Sequence, residues 1–199
     1  MKEIFNEIKM KSDYMQDLRD DNGHAEIVTF FAKKLCEIFK ANEEVVIPTA
    51  ILHDIGYFGM DKNLISEMMA KKLSEEQEKK IKMDHMERGA KFAKQILCEI
   101  NYEPKLIKKI VFIIQRHDLN DACDSVEEKI VRDADKLARF SKVGFYADIK
   151  RRKCTHLFWY EKLKKNFEKQ NYFQTAEAKQ MAIEELEKRY NEFPNTEKK

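Results

Sequence analysis

Ile47-Pro48-Thr49-Ala50-Ile51-Leu52-His53-Asp54-Ile55-Gly56 is an apolar helical run that ends in an adjacent His–Asp pair. His53 lies three residues after Ala50 and seven after Val46, and Asp54 four after Ala50 and seven after Ile47. Both polar side chains therefore flank one inward stripe. Burying an imidazole and a carboxylate costs free energy unless something pairs with them. Candidate partners lie elsewhere in the chain.

Four of the five histidines form an ordered series with this pair. His24 lies 29 positions before His53, His85 and His117 follow at intervals of 32, and Asp133-Ala134-Asp135 comes next, Asp135 lying 18 positions after His117. Each histidine sits on an apolar helical stripe: His24 with Val28, Phe31 and Leu35; His85 with Gly89, Phe92 and Ile96; His117 with Leu106, Ile110 and Ile113. The fifth, His156, lies among aromatic and basic residues. Six unrelated polar residues would not explain such a pattern. Imidazole with carboxylate suits divalent transition metals: Mn, Fe, Co, Ni or Zn, with Mg admissible. One such metal would take His24, His53, Asp54 and a carboxylate of the 133–135 turn. A second would take His85 and His117, with Asp54 bridging. Two metals about 3.5–4 Å apart lower the pKa of a shared water and clamp both sides of a displacement at phosphorus.

Composition sets the background. The chain has 199 residues, enough for one domain with a real core, or one domain with an extension. Charged residues make up 37%, yet the net charge is +2, which argues against dedicated nucleic-acid binding. Five Gly and three Pro leave little turn chemistry for an all-β chain. Lys, Glu, Leu, Ile and Ala dominate, so the expectation is an all-α bundle. Cys36, Cys98, Cys123 and Cys154 are scattered without a CxxC pair, which fits a reducing, cytoplasmic setting. No stretch reaches the ~20 apolar residues of a membrane span.

The periodicity predicts helices over 1–20 (Ile4, Phe5, Ile8, Met15 and Leu18 inward), 24–40, 43–56, 64–73, from 75 onward through His85 and Gly89, 105–117, and one after the Ser125 cap that carries Asp133 and Asp135. Asp21-Asn22-Gly23, 57–63 and Asp118–Asp124 read as breaks and loops. Pro48 is tolerable only within about the first turn of its helix. Gly89 in mid-helix costs up to ~1 kcal/mol, acceptable where something must approach closely. Ser125 with Glu128 forms a capping-box pattern. From Val143 onward the aromatic-rich sequence reads as two long helices with a turn at 171–175. They are core in the simpler reading, and otherwise a pocket wall or a homodimer face. The organisation expected is a metal-binding helical domain over 1–142, a C-terminal helical extension over 143–193 packed on the same core, and a tail at 194–199.

The ordered set resembles the HD superfamily of metal-dependent phosphohydrolases over roughly residues 20–142. The most telling pieces are Gly23-His24-Ala25-Glu26-Ile27-Val28, Ala50 to Gly56, His85-Met86-Glu87-Arg88-Gly89-Ala90 and Asp133-Ala134-Asp135-Lys136-Leu137. The resemblance implies that His24, His53, Asp54 and Asp135 are metal ligands. His85 and His117 match the extra histidines of its dinuclear branches: dinucleoside-tetraphosphate hydrolases, cyclic-nucleotide phosphodiesterases and a few di-iron oxygenases. Periodicity does not choose between Asp133 and Asp135; the family pattern favours Asp135, leaving Asp133 as a supporting or substrate-contacting residue. Many dinuclear members carry a lysine where this chain has Tyr57, so a phosphate-binding cation must come from elsewhere. Lys62, Arg88, Arg116 and Lys136 are the nearest candidates. Arg88 comes first, because it lies one turn from His85 and a guanidinium grips phosphate bidentately. The implied activity is hydrolysis of a phosphoester or phosphoanhydride of a small phosphorylated substrate, a nucleotide first among candidates. In that scheme Asp54 bridges, Arg88 or Lys136 steadies the phosphoryl oxygens, and Tyr57, Lys62 and Asp133 line the substrate. A di-iron oxygenase and a non-catalytic metal-binding regulatory domain are the alternatives.

Overall fold

The computed structural model describes residues 2–16, 23–119 and 122–193. Leu18, the Asp21-Asn22 break, the middle of the 118–124 loop and the 194–199 tail lie outside them. The described residues form an all-α bundle: α1 (Glu3–Ser12), α2 (His24–Phe39), α3 (Glu43–Leu52), α4 (Lys62–Met69), α5 (Glu75–Glu99), α6 (Pro104–Ile114), α7 (Val126–Ala138), α8 (Lys142–Arg152), α9 (His156–Lys164) and α10 (Ala176–Asn191). None is long and apolar enough to cross a membrane.

Helix α3 is the axis of the bundle. Every residue from Val45 to Leu52 is buried, and α1, α2, α6 and α7 all pack on it. A helix apolar on all sides belongs in a core. Asn42 caps it by accepting from the Glu44 N–H at 2.9 Å. Pro48 falls in its second turn, deeper than expected. A proline there leaves the carbonyl four residues back without its usual donor. The Tyr102 hydroxyl, from the loop before α6, donates to that Glu44 carbonyl at 2.9 Å. The tyrosine thus offsets what the proline removes, at a sequence distance that local pattern cannot reveal.

Several boundaries differ from expectation for local reasons. Helix α1 stops at Ser12, whose hydroxyl turns back onto the Ile8 carbonyl at 3.0 Å, and a 3-10 turn (Asp13–Met15) follows. Helix α3 stops at Leu52, so His53 and Asp54 lie in the turn beyond it, and His117 likewise lies beyond the end of α6. Lys62 opens α4 under an Asp61 cap. Ser125 caps α7 by accepting from the Glu128 N–H at 3.1 Å. The buried Glu128 side chain, however, accepts from the Asp124 N–H and pairs with Arg132 one turn on, so the box closes one residue earlier than the pattern indicates. The C-terminal part holds three helices, not two. Lys153 takes a left-handed conformation (φ 51°) that ends α8, and the Thr155 side chain caps α9.

Phe140, Phe145, Trp159, Leu163, Ala178, Ala182, Leu186 and Phe193 join α7–α10 to the same buried core as α2, α3 and α6. A smaller separate cluster, Tyr57, Ile65, Met68 and Ile81, lies under α4.

Candidate metal centre

Five segments deliver polar side chains to one point. His24 opens α2, preceded by Gly23 at φ 81°. His53 and Asp54 follow α3, His85 lies within α5, His117 follows α6, and Asp135 is on α7. His24, His53, Asp54 and Asp135 bring ligand atoms within 4.8 Å of one another, and so do Asp54, His85 and His117. Asp54 belongs to both groups and presents a different oxygen to each. Its Oδ2 is 3.0 Å from His53 Nε2 and 3.3 Å from His24 Nε2. Its Oδ1 is 3.5 Å from His117 Nε2 and 3.6 Å from His85 Nε2. Asp135 Oδ1 completes the first group at 3.1 Å from His24 Nε2.

The turns after α3 and α6 orient their histidines in the same way. His53 Nδ1–H donates to the Ala50 carbonyl at 2.9 Å, and His117 Nδ1–H to the Ile114 carbonyl at 2.8 Å. These are last-turn carbonyls that lack an intrahelical donor. A carbonyl only accepts, so Nδ1 carries a proton and Nε2 faces the cluster, where it can ligate a metal once it has lost its own proton. The facing nitrogens are 3.3 Å apart in the His24–His53 pair and 3.4 Å apart in the His85–His117 pair. That spacing matches an edge of about 3.4 Å for donors held tetrahedrally at about 2.1 Å. Convergent lone pairs and carboxylates form a cavity of negative potential, and a divalent cation fits it. Protons are drawn there too: burial works against protonation of His53, but Asp54 and Asp135 outweigh it and push the imidazole up to about 10. Burial would raise Asp135, yet hydrogen bonds from His24 and His53 hold it well below the usual carboxylate range.

Gly89 explains itself here. A Cβ on Gly56 would sit 1.8 Å from the His85 carbonyl oxygen and 2.6 Å from the Gly89 nitrogen. The turn that follows Asp54 thus lies directly against α5, and two facing glycines allow it. Tyr57 stacks flat on His85, with ring centroids 4.3 Å apart and planes 7° apart. It is buried and also lines the cleft above the centre.

The remaining residues expected at the substrate do not line this cleft. Arg88 donates from Nε to the Gly56 carbonyl (3.1 Å) and from Nη2 to the Phe58 carbonyl, which makes it the clamp of that turn and not a wall of the cleft. Lys136 donates to the Tyr172 carbonyl. Asp133 accepts from the Gln174 and Thr175 amides at 2.7 and 2.9 Å and from the Thr175 hydroxyl at 2.7 Å, fixing the entry to α10. Helical periodicity separates them: Asp133 and Lys136 share one face of α7, and Asp135 and Arg139, four apart, share the other. Arg116 pairs with Asp124 at 2.9 Å. Lys62 is exposed and off the cleft.

The cleft is lined instead by Lys71, Lys82, Asp118, Arg139, Asp148, Arg151 and Arg152, beside His24, Asp54 and Asp135. Asp118 had a signal in the sequence, because His117-Asp118 repeats the His–Asp pair of 53–54. Its Oδ2 is 3.8 Å from His85 Nε2 and its Oδ1 is 3.5 Å from Lys82 Nζ. Arg139 had one too, one turn beyond Asp135. Arg151 and Arg152 had none, since they arrive by the packing of α8.

The sequence profile of the HD domain family matches residues 23–139. No curated protein matches the chain. Among solved structures, the crystal structure of a predicted HD superfamily hydrolase from an uncultured Thermotogales bacterium is similar, with a TM-score of 0.58 and 21% identity over 94% of this chain and 85% of that one. At that identity the likeness speaks for a shared fold. The matched segment begins just before His24 and ends just after Asp135, so it spans every side chain of the two clusters, and the chain belongs to the HD domain family.

Proposed function

We propose that the protein is a metal-dependent hydrolase that cleaves a phosphoester or phosphoanhydride bond of a small substrate, a nucleotide being the leading candidate. The observation that supports this most is Asp54, whose two oxygens face two separate histidine pairs. His24, His53, Asp54 and Asp135 would hold one divalent cation. His85, His117 and Asp54 would hold a second, with Asp118 as the nearest further carboxylate. Cations in these positions supply an activated water at neutral pH and neutralise charge developing on the phosphoryl oxygens.

The chain's own residues do the rest. Asp54 fixes the separation of the two histidine pairs. Ala50 and Ile114, through their carbonyls, keep His53 and His117 in the ligating tautomer. Tyr57 covers the outer face of His85 and limits water on that side. Arg88 holds the turn carrying Asp54 against α5, so it positions the centre without touching substrate.

The test is to strip the metal, reload with Mn, Fe, Co, Ni, Zn or Mg, and follow hydrolysis of an aryl phosphate and a nucleotide panel. Turnover that depends on added metal is the expected result. No hydrolysis with any metal would overturn this reading.

A further inference from the structure

Three arginines line the cleft beside the candidate ligands, and two of them share one carboxylate. Arg139 follows the end of α7, one turn past Asp135, and Arg151 and Arg152 close α8. Gly144, near the start of α8, brings them in: a Cβ there would lie 2.1 Å from the Ala138 carbonyl oxygen, so only glycine lets α8 approach the end of α7 this closely. The buried Asp148 faces Arg151 at 3.4 Å and Arg152 at 3.9 Å. The other cations of the cleft have carboxylates of their own, Lys71 with Glu78 and Lys82 with Asp118.

Arg139 is exposed and makes no salt bridge among the described residues. The Nε atoms of Arg151 and Arg152 are buried without a hydrogen-bond partner among them. Arg152 lies 4.6 Å over the Trp159 ring, which fixes its guanidinium plane. Burial first, and then the neighbouring Arg139 and Arg151, destabilise the charge on Arg152, whereas Asp148 supports it. Three guanidiniums lining one cleft, two of them on a single carboxylate and with buried donors still to satisfy, make a site for an anion.

We infer that Arg139, Arg151 and Arg152 bind a second phosphoryl group of the substrate, so that the preferred substrate is a small molecule carrying two phosphoryl groups, one at the candidate metal centre and one at the arginines. This rests on the hydrolase reading for its first half only. The arginine locus stands without metal.

Two measurements separate the halves. In the metal-stripped full chain, inorganic phosphate is titrated by calorimetry against wild type, R139Q and R139K. The expected result is binding that weakens roughly ten-fold or more in R139Q, the scale of a lost charge-assisted pair, and less in R139K, which keeps charge without the fork. Equal binding by all three, or no binding by wild type, would overturn the locus. In the metal-loaded protein, kcat/KM for a nucleoside 3′,5′-bisphosphate is compared with that for the matching 5′-monophosphate. Wild type should prefer the bisphosphate, and the ratio should fall toward one in R139Q. A wild-type ratio of one or less would overturn the substrate class. Absence of turnover on both would sink the hydrolase reading, and the substrate class with it, while the phosphate titration still judges the locus.

Discussion

The two halves of the centre use the same ligand types and differ in how they are finished. The His24–His53 half has two histidines and two carboxylates, gathered from α2, α3 and α7 into one compact group. The His85–His117 half shares Asp54 and has two buried histidines, but its nearest second carboxylate, Asp118, stands 3.8 Å from His85 Nε2 and also pairs with Lys82. A closed donor set is the arrangement of tightly held metals, and an open position is the arrangement of reactive ones. By its donor set the first half would be the anchor and the second the more exchangeable position, although it is His24, Asp54 and Asp135 of the first that line the cleft.

Removing the shared residue should erase the distinction. Asp54→Asn is expected to empty both halves in a metal-content assay and to lower hydrolysis by on the order of 10³-fold. Retention of one full equivalent would show that Asp54 does not join them. Next in size is Gly56→Ala, which drives a methyl into the His85 carbonyl and parts the turn after α3 from α5. A loss of about 3 kcal/mol in denaturant unfolding is expected, as for overpacking at a close approach. His53→Gln and His85→Gln test the anchor directly. The first should weaken both equivalents and the second should cost one, with a chelator removing a single equivalent from wild type before the other. Simultaneous release of both would break the comparison. Asp118→Asn should lower the affinity of the second equivalent by roughly 10- to 100-fold and leave the first in place.

The smallest effect tests the common support. Tyr102→Phe removes the donor that serves the carbonyl orphaned by Pro48, at a cost of about 1 kcal/mol. Burial first, then Glu44 and Glu103, push the Tyr102 hydroxyl up to about 12. The unfolded value is ~10, so the folded state holds its proton longer: the stabilisation is complete below pH ~10 and is lost as pH rises toward 12. Wild type should therefore lose stability faster than the variant across that interval, and metal stoichiometry should not change. Parallel pH profiles would discard this account of Tyr102.

Much of the centre was legible because its residues are marked by local pattern. A histidine at the end of an apolar stripe looks the same whatever the stripe packs on, so His24, His53, His85 and His117 could be picked out before any packing was known. Asp135 required the family pattern, since Asp133 fits the helix equally well; the structure turns Asp133 to the Gln174–Thr175 amides. The cations that line the cleft are not the ones expected, for a related reason. Nearness in sequence to a candidate ligand pointed to Arg88, one turn from His85, and to Lys136, next to Asp135, whereas both donate to backbone carbonyls. The cleft's arginines come from the approach of α8 to α7, a tertiary event permitted by Gly144. The single break at Lys153–Thr155, which splits one expected helix into two, is a left-handed residue followed by a threonine cap, a short signal easily lost among aromatics.

The small apolar cluster beneath α4 has a consequence of its own. Met68, Met69 and Lys71 form one wall of the cleft, and the residues that seat Met68, namely Tyr57, Ile65 and Ile81, are separate from the main core. A segment with its own anchorage can open or be resculpted at a free-energy cost well below that of global unfolding. The span from Asp61 to Leu73 is thus a cassette: a graft there would alter which molecules fit the cleft while leaving in place the Arg88 contacts to Gly56 and Phe58 that hold the turn after Asp54.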